Sequence, residues 1–212
     1  MESIYKILQN FFSAFSNRKR ILVFGDSNSS RPNRALSWPA LAKVKLKRSF
    51  IIVNESMDGR TICYDRGDLN GLFYLQKKIK SFDSFDFFVL MLGTNDVKMC
   101  YGPPEINNTM VKFSGLLDTV RTHSSSAIPV VILPPPIGNS DMPDFYGAEL
   151  RIRELFTAIE KFCFDHAIHL IDLPSIIDME THLEPDSVHL NSSGREKLAD
   201  FFSRYFLLNF PS

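Results

Sequence analysis

No stretch of this chain is apolar over the roughly 18 residues that a bilayer-spanning helix needs, so a transmembrane helix is not expected. The chain also has no excess of charge of either sign. Its 24 Lys plus Arg balance 24 Asp plus Glu, and no overall field draws it towards nucleic acid. The local basic clusters, Arg18-Lys19-Arg20 and Lys43 to Arg48, read as solvated strand flanks and helix ends. Cysteine is scarce. Cys63, Cys100 and Cys163 form an odd, widely spaced set without a C-x-x-C pair, which argues against a disulfide framework and a zinc site and fits a reducing, cytoplasmic compartment. All three read as small buried hydrophobes. Internal repeats and low-complexity segments are absent as well, so 212 residues make one domain with a full core.

What the chain does have is alternation. Short apolar runs at Ile21–Phe24, Phe50–Asn54, Phe87–Leu92, Ile128–Leu133 and Ile168–Ile171 read as buried strands. Helical spacing fills the intervals. Ile106, Met110, Phe113, Leu117 and Val120 mark one helix, and Ile152, Leu155, Phe156, Ile159 and Phe162 another. Leu198, Phe201, Phe202, Tyr205 and Phe206 close the chain, while shorter helices are expected over Trp38–Val44 and Leu69–Ile79. Strands alternating with helices imply β-α-β units, a parallel sheet and helices on both faces: a single-domain, three-layer α/β/α fold. Residues 1–18 stand apart. Ile4, Ile7, Leu8, Phe11, Phe12 and Phe15 at helical spacing, interrupted by polar residues, predict an amphipathic extension ahead of a domain over residues 19–212. That helix is expected to pack on the domain or on a second subunit, with membrane-surface contact as the weaker alternative.

In an open α/β sheet, reacting groups collect at the carboxyl ends of the strands. Four loops there carry unusual residues: Gly25-Asp26-Ser27-Asn28, Asp58-Gly59-Arg60, Gly93-Thr94-Asn95-Asp96 and Asp186-Ser187-Val188-His189. Acyl transfer needs a nucleophile, a base, a group that orients the base, and donors for an oxyanion. Ser27 can supply the hydroxyl and His189 can take its proton. Asp186, three residues earlier, can accept from Nδ1–H and fix the imidazole tautomer. The backbone N–H groups of Ser27 and Gly59 and the side-chain amide of Asn95 can converge on the oxyanion. Arg60 is a candidate contact for a substrate anion, with a surface salt bridge as the plainer alternative. Asp26 and Asp96 read as Asx-turn residues. His182 is the one rival base, and it lacks an acid three residues before it. Ser193 with Glu196 can form a capping box at the start of the last helix.

These four blocks, in this order, resemble those of the SGNH (GDSL-type) hydrolase family, whose four letters fall on Ser27, Gly59, Asn95 and His189. The runs Asn54–Thr61, Asn70–Leu75 and Pro134–Gly138 further resemble its small arylesterase and acyltransferase branch. The resemblance implies a flavodoxin-like sheet of order 2-1-3-4-5 and chemistry without a metal or cofactor. It also implies hydrolysis of small esters or thioesters, or transfer of the acyl group to an alcohol, and in some members a homo-oligomer. Two departures stand out. Relatives often carry a Trp soon after the nucleophile, whereas here Ser29-Ser30-Arg31 follow and Trp38 comes later. The acid–base loop has Ser187 where Gly is commoner, which is harmless if φ there is below zero. A flavodoxin-like binding module with GDSNSS around a phosphate is the non-enzymatic alternative, but the loop lacks a P-loop lysine and the three-glycine fingerprint.

Overall fold

A computed structural model describes residues 18–33, 35–62, 64, 67–102 and 105–211. The amphipathic extension expected over residues 1–18 therefore lies, apart from Arg18, outside the described residues. Strands β1 (Lys19–Gly25), β2 (Phe50–Asn54), β3 (Phe87–Met91), β4 (Ile128–Ile132) and β5 (His169–Ile171) form one sheet of order β2-β1-β3-β4-β5. All four pairings are parallel, with Ile21 opposite both Ile52 and Phe87 in the central register. The strand ends fall within two residues of the expected ones. The flavodoxin-like order is the one implied by the family resemblance.

Helices cover both faces because successive strand residues point to opposite sides. Leu22, Phe24, Phe88, Leu90 and Val131 enter one core with α3 (Gly71–Lys78), α4 (Ile106–His123) and α5 (Ala148–Asp165). Ile21, Val23, Phe87, Val89 and Val130 enter the other with α2 (Trp38–Leu46) and α7 (Ser192–Asn209). The helix after β1 thus goes to one face and the helix after β2 to the other. The chain reverses direction across the sheet between β1 and β3, the point at whose carboxyl edge open α/β sheets bind their ligands. The short helices α1 (Ser27–Ser30) and α6 (Met179–His182) lie in loops at that edge. Among the described residues, no helix is long and apolar enough to cross a membrane.

Two local expectations are corrected. The last helix is capped by Asn191, whose Oδ1 accepts from the Gly194 N–H at 3.0 Å, and not by Ser193 with Glu196. The chain enters the helix earlier than the motif suggests, because the Asn191 amide also donates to the carbonyls of Thr181 and Leu183. Ser193 is left inside the first turn. Cys100 is exposed rather than buried, while Cys163 is a buried core thiol whose pKa burial pushes up to about 12; Cys63 lies outside the described residues.

Candidate active site

The nucleophile loop is made by β1 ending on Gly25 and α1 starting two residues later. Asp26 caps that helix, its Oδ1 accepting the Asn28 N–H at 2.9 Å. Ser27 occupies the first helical position, where an N–H has no intrahelical acceptor. Its hydroxyl lies 2.9 Å from Nε2 of His189, across 162 positions of sequence. His189 Nδ1 lies 2.6 Å from Asp186 Oδ2. The second Asp186 oxygen accepts the backbone N–H groups of Val188 and His189 at 2.9 and 3.0 Å. Partial burial works to raise the Asp186 pKa, but these bonds from the His189 ring and the loop backbone outweigh it and hold the carboxyl below its ordinary range. With Asp186 ionised, the imidazole carries its proton on Nδ1 and turns a bare Nε2 towards Ser27.

The other two blocks are joined to each other and, through Asp58, to the nucleophile helix. Gly59 has φ +77° in a turn closed by the Arg60 N–H on the Met57 carbonyl, a conformation that suits a residue without Cβ. Asn95, buried in a 3₁₀ turn after β3, donates from Nδ2 to the Arg60 carbonyl at 3.1 Å. One amide hydrogen is spent on that bond, which fixes the rotamer and leaves the second hydrogen to point elsewhere. Asp96 differs from the Asx-turn expectation: its carboxylate accepts the Ile62 N–H, 34 positions away, on both oxygens and joins two loops. Asp58 bridges two loops from the other side, taking the Ser30 hydroxyl and, at 2.7 Å, Nε of Arg31.

Two sequence expectations, for Arg60 and Ser187, fare otherwise. Arg60 does not reach the surface. It is fully buried, with its guanidinium against the rings of Phe24 and Tyr74 at 4.2 and 4.6 Å, so it neither meets a substrate anion nor forms a surface salt bridge. Trp38, the tryptophan that comes later than in relatives, is a core residue. It is buried against Phe202 and donates to Ser29 Oγ at 3.1 Å, bracing α1 from behind. Ser187 takes φ +58°, so the condition for a harmless serine fails. The rival His182 stays on α6, where its Nδ1 bonds locally with Asp178 and Thr181.

One participant escapes the sequence reading. The Asn28 side chain donates to the Val188 carbonyl at 3.3 Å and accepts the Leu190 N–H at 3.0 Å. It ties the nucleophile helix to both neighbours of His189. Position next to Ser27 is the one signal the sequence offers for it. Among the described residues, no group of three or more His, Cys, Asp or Glu is placed to hold a metal ion.

No curated protein matches the sequence. Among solved structures, the fold is similar to Est24, a carbohydrate acetylesterase from Sinorhizobium meliloti, with TM-score 0.81 and 20% identity over 91% of this chain and 100% of that one. It is also similar to the inhibitor-bound aryl esterase of M. smegmatis, with TM-score 0.77 and 23% identity over 88% of this chain and 97% of that one. At these identities the likeness carries the fold alone. The sequence profile of the GDSL-like lipase/acylhydrolase family matches residues 23–197, which include all four motif blocks. The chain therefore belongs to the GDSL-like lipase/acylhydrolase family and is an SGNH-type serine ester hydrolase.

Proposed function

We propose that the protein cleaves small carboxylic esters through an acyl-enzyme intermediate on Ser27. The observation that carries this reading is the continuous hydrogen-bonded line from Ser27 Oγ through the His189 ring to Asp186, at 2.9 and 2.6 Å. Ser27 Oγ attacks the ester carbonyl and gives its proton to His189 Nε2. Asp186 holds the ring and stabilises the imidazolium without taking the proton. The oxyanion is held by the N–H groups of Ser27 and Gly59 and by the free hydrogen of the Asn95 amide. His189 then protonates the departing alkoxide. In the second half, water gives a proton to His189, attacks the acyl carbon and releases the acid with Ser27 restored.

Esters with polar leaving groups suit a rim made partly of Asp58 and Arg31, each about half exposed. Acetyl esters of sugars and of phenols are therefore the first substrates to try, in keeping with the names of the two esterases that share the fold. The test is turnover of p-nitrophenyl acetate, butyrate and octanoate by the wild type and by Ser27→Ala, with products compared with and without added alcohol. Ser27→Ala should fold normally and lose at least about a thousandfold in kcat. Equal turnover by the two proteins would refute the assignment.

A further inference from the structure

One buried residue, through its side chain and its main chain together, is bonded to three of the four loops at the site, its own included, and the mechanism above does not use its side chain. Arg60 Nη1 donates to the Glu55 carbonyl at 2.5 Å, just past the end of β2, and reaches the Gly25 carbonyl, the last of β1, at 3.4 Å. The backbone carbonyl of the same residue takes the Asn95 amide. Its backbone N–H closes the turn that holds Gly59.

This placement is unusual for a cation. Burying a guanidinium costs several kcal/mol unless its surroundings compensate, and burial lowers the Arg60 pKa to about 10, which still leaves it charged at neutral pH. Neither Nε nor Nη2 has a hydrogen-bond partner among the described residues. The charge is met by the ring faces of Phe24 and Tyr74 and by the field of the carboxylates of Glu55, Asp26 and Asp68. A buried apolar side chain would fill the same space at lower cost in stability. It could not bond strand-end carbonyls that come from two different loops.

We propose that Arg60 is a positioning residue for the oxyanion donors: its guanidinium locks the ends of β1 and β2 together, and its main chain sets the distance between Gly59 and the Asn95 amide. This rests on the reading of Ser27, Gly59 and Asn95 given above. Arg60 touches no substrate atom and acts through the groups it holds. Preorganised donors are effective only while their spacing is fixed, so loosening them lowers transition-state binding and leaves ground-state binding nearly unchanged.

The experiment compares the wild type, Arg60→Met and Arg60→Lys in the full chain. It measures melting temperature, kcat and KM for p-nitrophenyl acetate, and inhibition by phenylboronic acid, which adds to the serine oxygen as a tetrahedral anion. Arg60→Met should melt within a few degrees of the wild type and lose ten- to a thousandfold in kcat with KM within threefold. Boronate affinity should fall in step with kcat. Arg60→Lys, which keeps the charge and one carbonyl bond, should recover part of the loss and stay three- to thirtyfold below the wild type. A folded Arg60→Met with kcat within twofold of the wild type overturns the proposal, as does a fall in kcat with boronate affinity unchanged. If the Met variant does not fold, the Lys variant decides by the same two readouts, and failure of both to fold assigns Arg60 to stability alone. A wild type without Ser27-dependent turnover would overturn the site reading itself, and this proposal with it.

Discussion

Asn28 brackets His189: its side-chain amide donates to the carbonyl of the residue before the histidine and accepts the N–H of the residue after it. A two-point grip of this kind fixes the loop in both translation and rotation, so the ring meets Ser27 without searching for it. Each bond spans at least 160 positions of chain and is buried. Breaking the pair therefore leaves a backbone carbonyl and an N–H unpaired in the interior, at about 1–3 kcal/mol for each group.

Replacing Asn28 with Ala should lower kcat about ten- to a hundredfold while KM stays within threefold, because a displacement of about 1 Å at a reacting group costs on that order. Steady-state kinetics at saturating ester, on protein whose circular dichroism matches the wild type, measure it. Unchanged kcat in a folded variant would mean that Asp186 and the loop backbone hold the histidine unaided.

Ser187 and Gly138 meet where the loop after β4 crosses the acid–base turn. The Gly138 N–H donates to the Ser187 carbonyl at 2.9 Å, and a Cβ on Gly138 would stand 3.1 Å from that of Ser187. Beside them, Ser140 Oγ donates to the Asp186 carbonyl at 2.6 Å. Because Ser187 has φ +58°, Ser187→Gly removes a strain of about 1–2 kcal/mol and returns about 0.5–1 kcal/mol of chain entropy to the unfolded state. The expected net gain is about 0.5 kcal/mol, or a rise of 1–2 °C in Tm. Gly138→Ala should lower kcat by pushing the turn away. In the double variant the Cβ–Cβ clash is gone and most of that activity should return, a coupling that a double-mutant cycle reads directly. Additive effects would show that the two residues act independently.

Much of this was legible in the chain. The strands could be read because parallel strands covered on both faces are continuous apolar runs, as at Ile21–Phe24 and Phe87–Met91. Ser27, Asp186 and His189 could be read because acyl chemistry restricts which residue types can serve and the motif blocks fix their order. Arg60 could not, since a charged residue in a loop is normally solvated and its burial depends on rings contributed by β1 and α3. Nor could the grip of Asn28, whose partners lie on the far side of the sequence. Asn191 and Ser193 are equally good cap residues by type; the choice between them rests on carbonyls of Thr181 and Leu183 that only the folded loop brings within reach.

Asp26 makes stability depend on pH in a direction opposite to the usual carboxylate. It is fully buried, and desolvation raises its pKa from 3.8 to about 6 against the opposing pull of the Asn28 N–H, the His189 charge, the Thr94 hydroxyl and Arg60. The folded state therefore holds this proton more tightly than the unfolded chain does. Between pH 4 and pH 6 the native protein carries more protons at this site than the unfolded one. The contribution of Asp26 to stability is thus most favourable below pH 4, falls as pH rises, and levels off above about pH 6 at a cost of about 3 kcal/mol. Asp26→Asn removes the titration and keeps the cap, since an amide oxygen can still accept from the Asn28 N–H. Its new N–H₂ group also brings donors to a fully buried site that holds the Thr94 hydroxyl. Every other titrating group is common to the two proteins. The stability difference between variant and wild type, from urea midpoints between pH 4 and 7.5, should therefore move in favour of the variant by about 2–3 kcal/mol across that range. A difference that stays flat, or that moves the other way, would mean that Asp26 is solvated or charge-paired in solution and that its burial does not govern its proton.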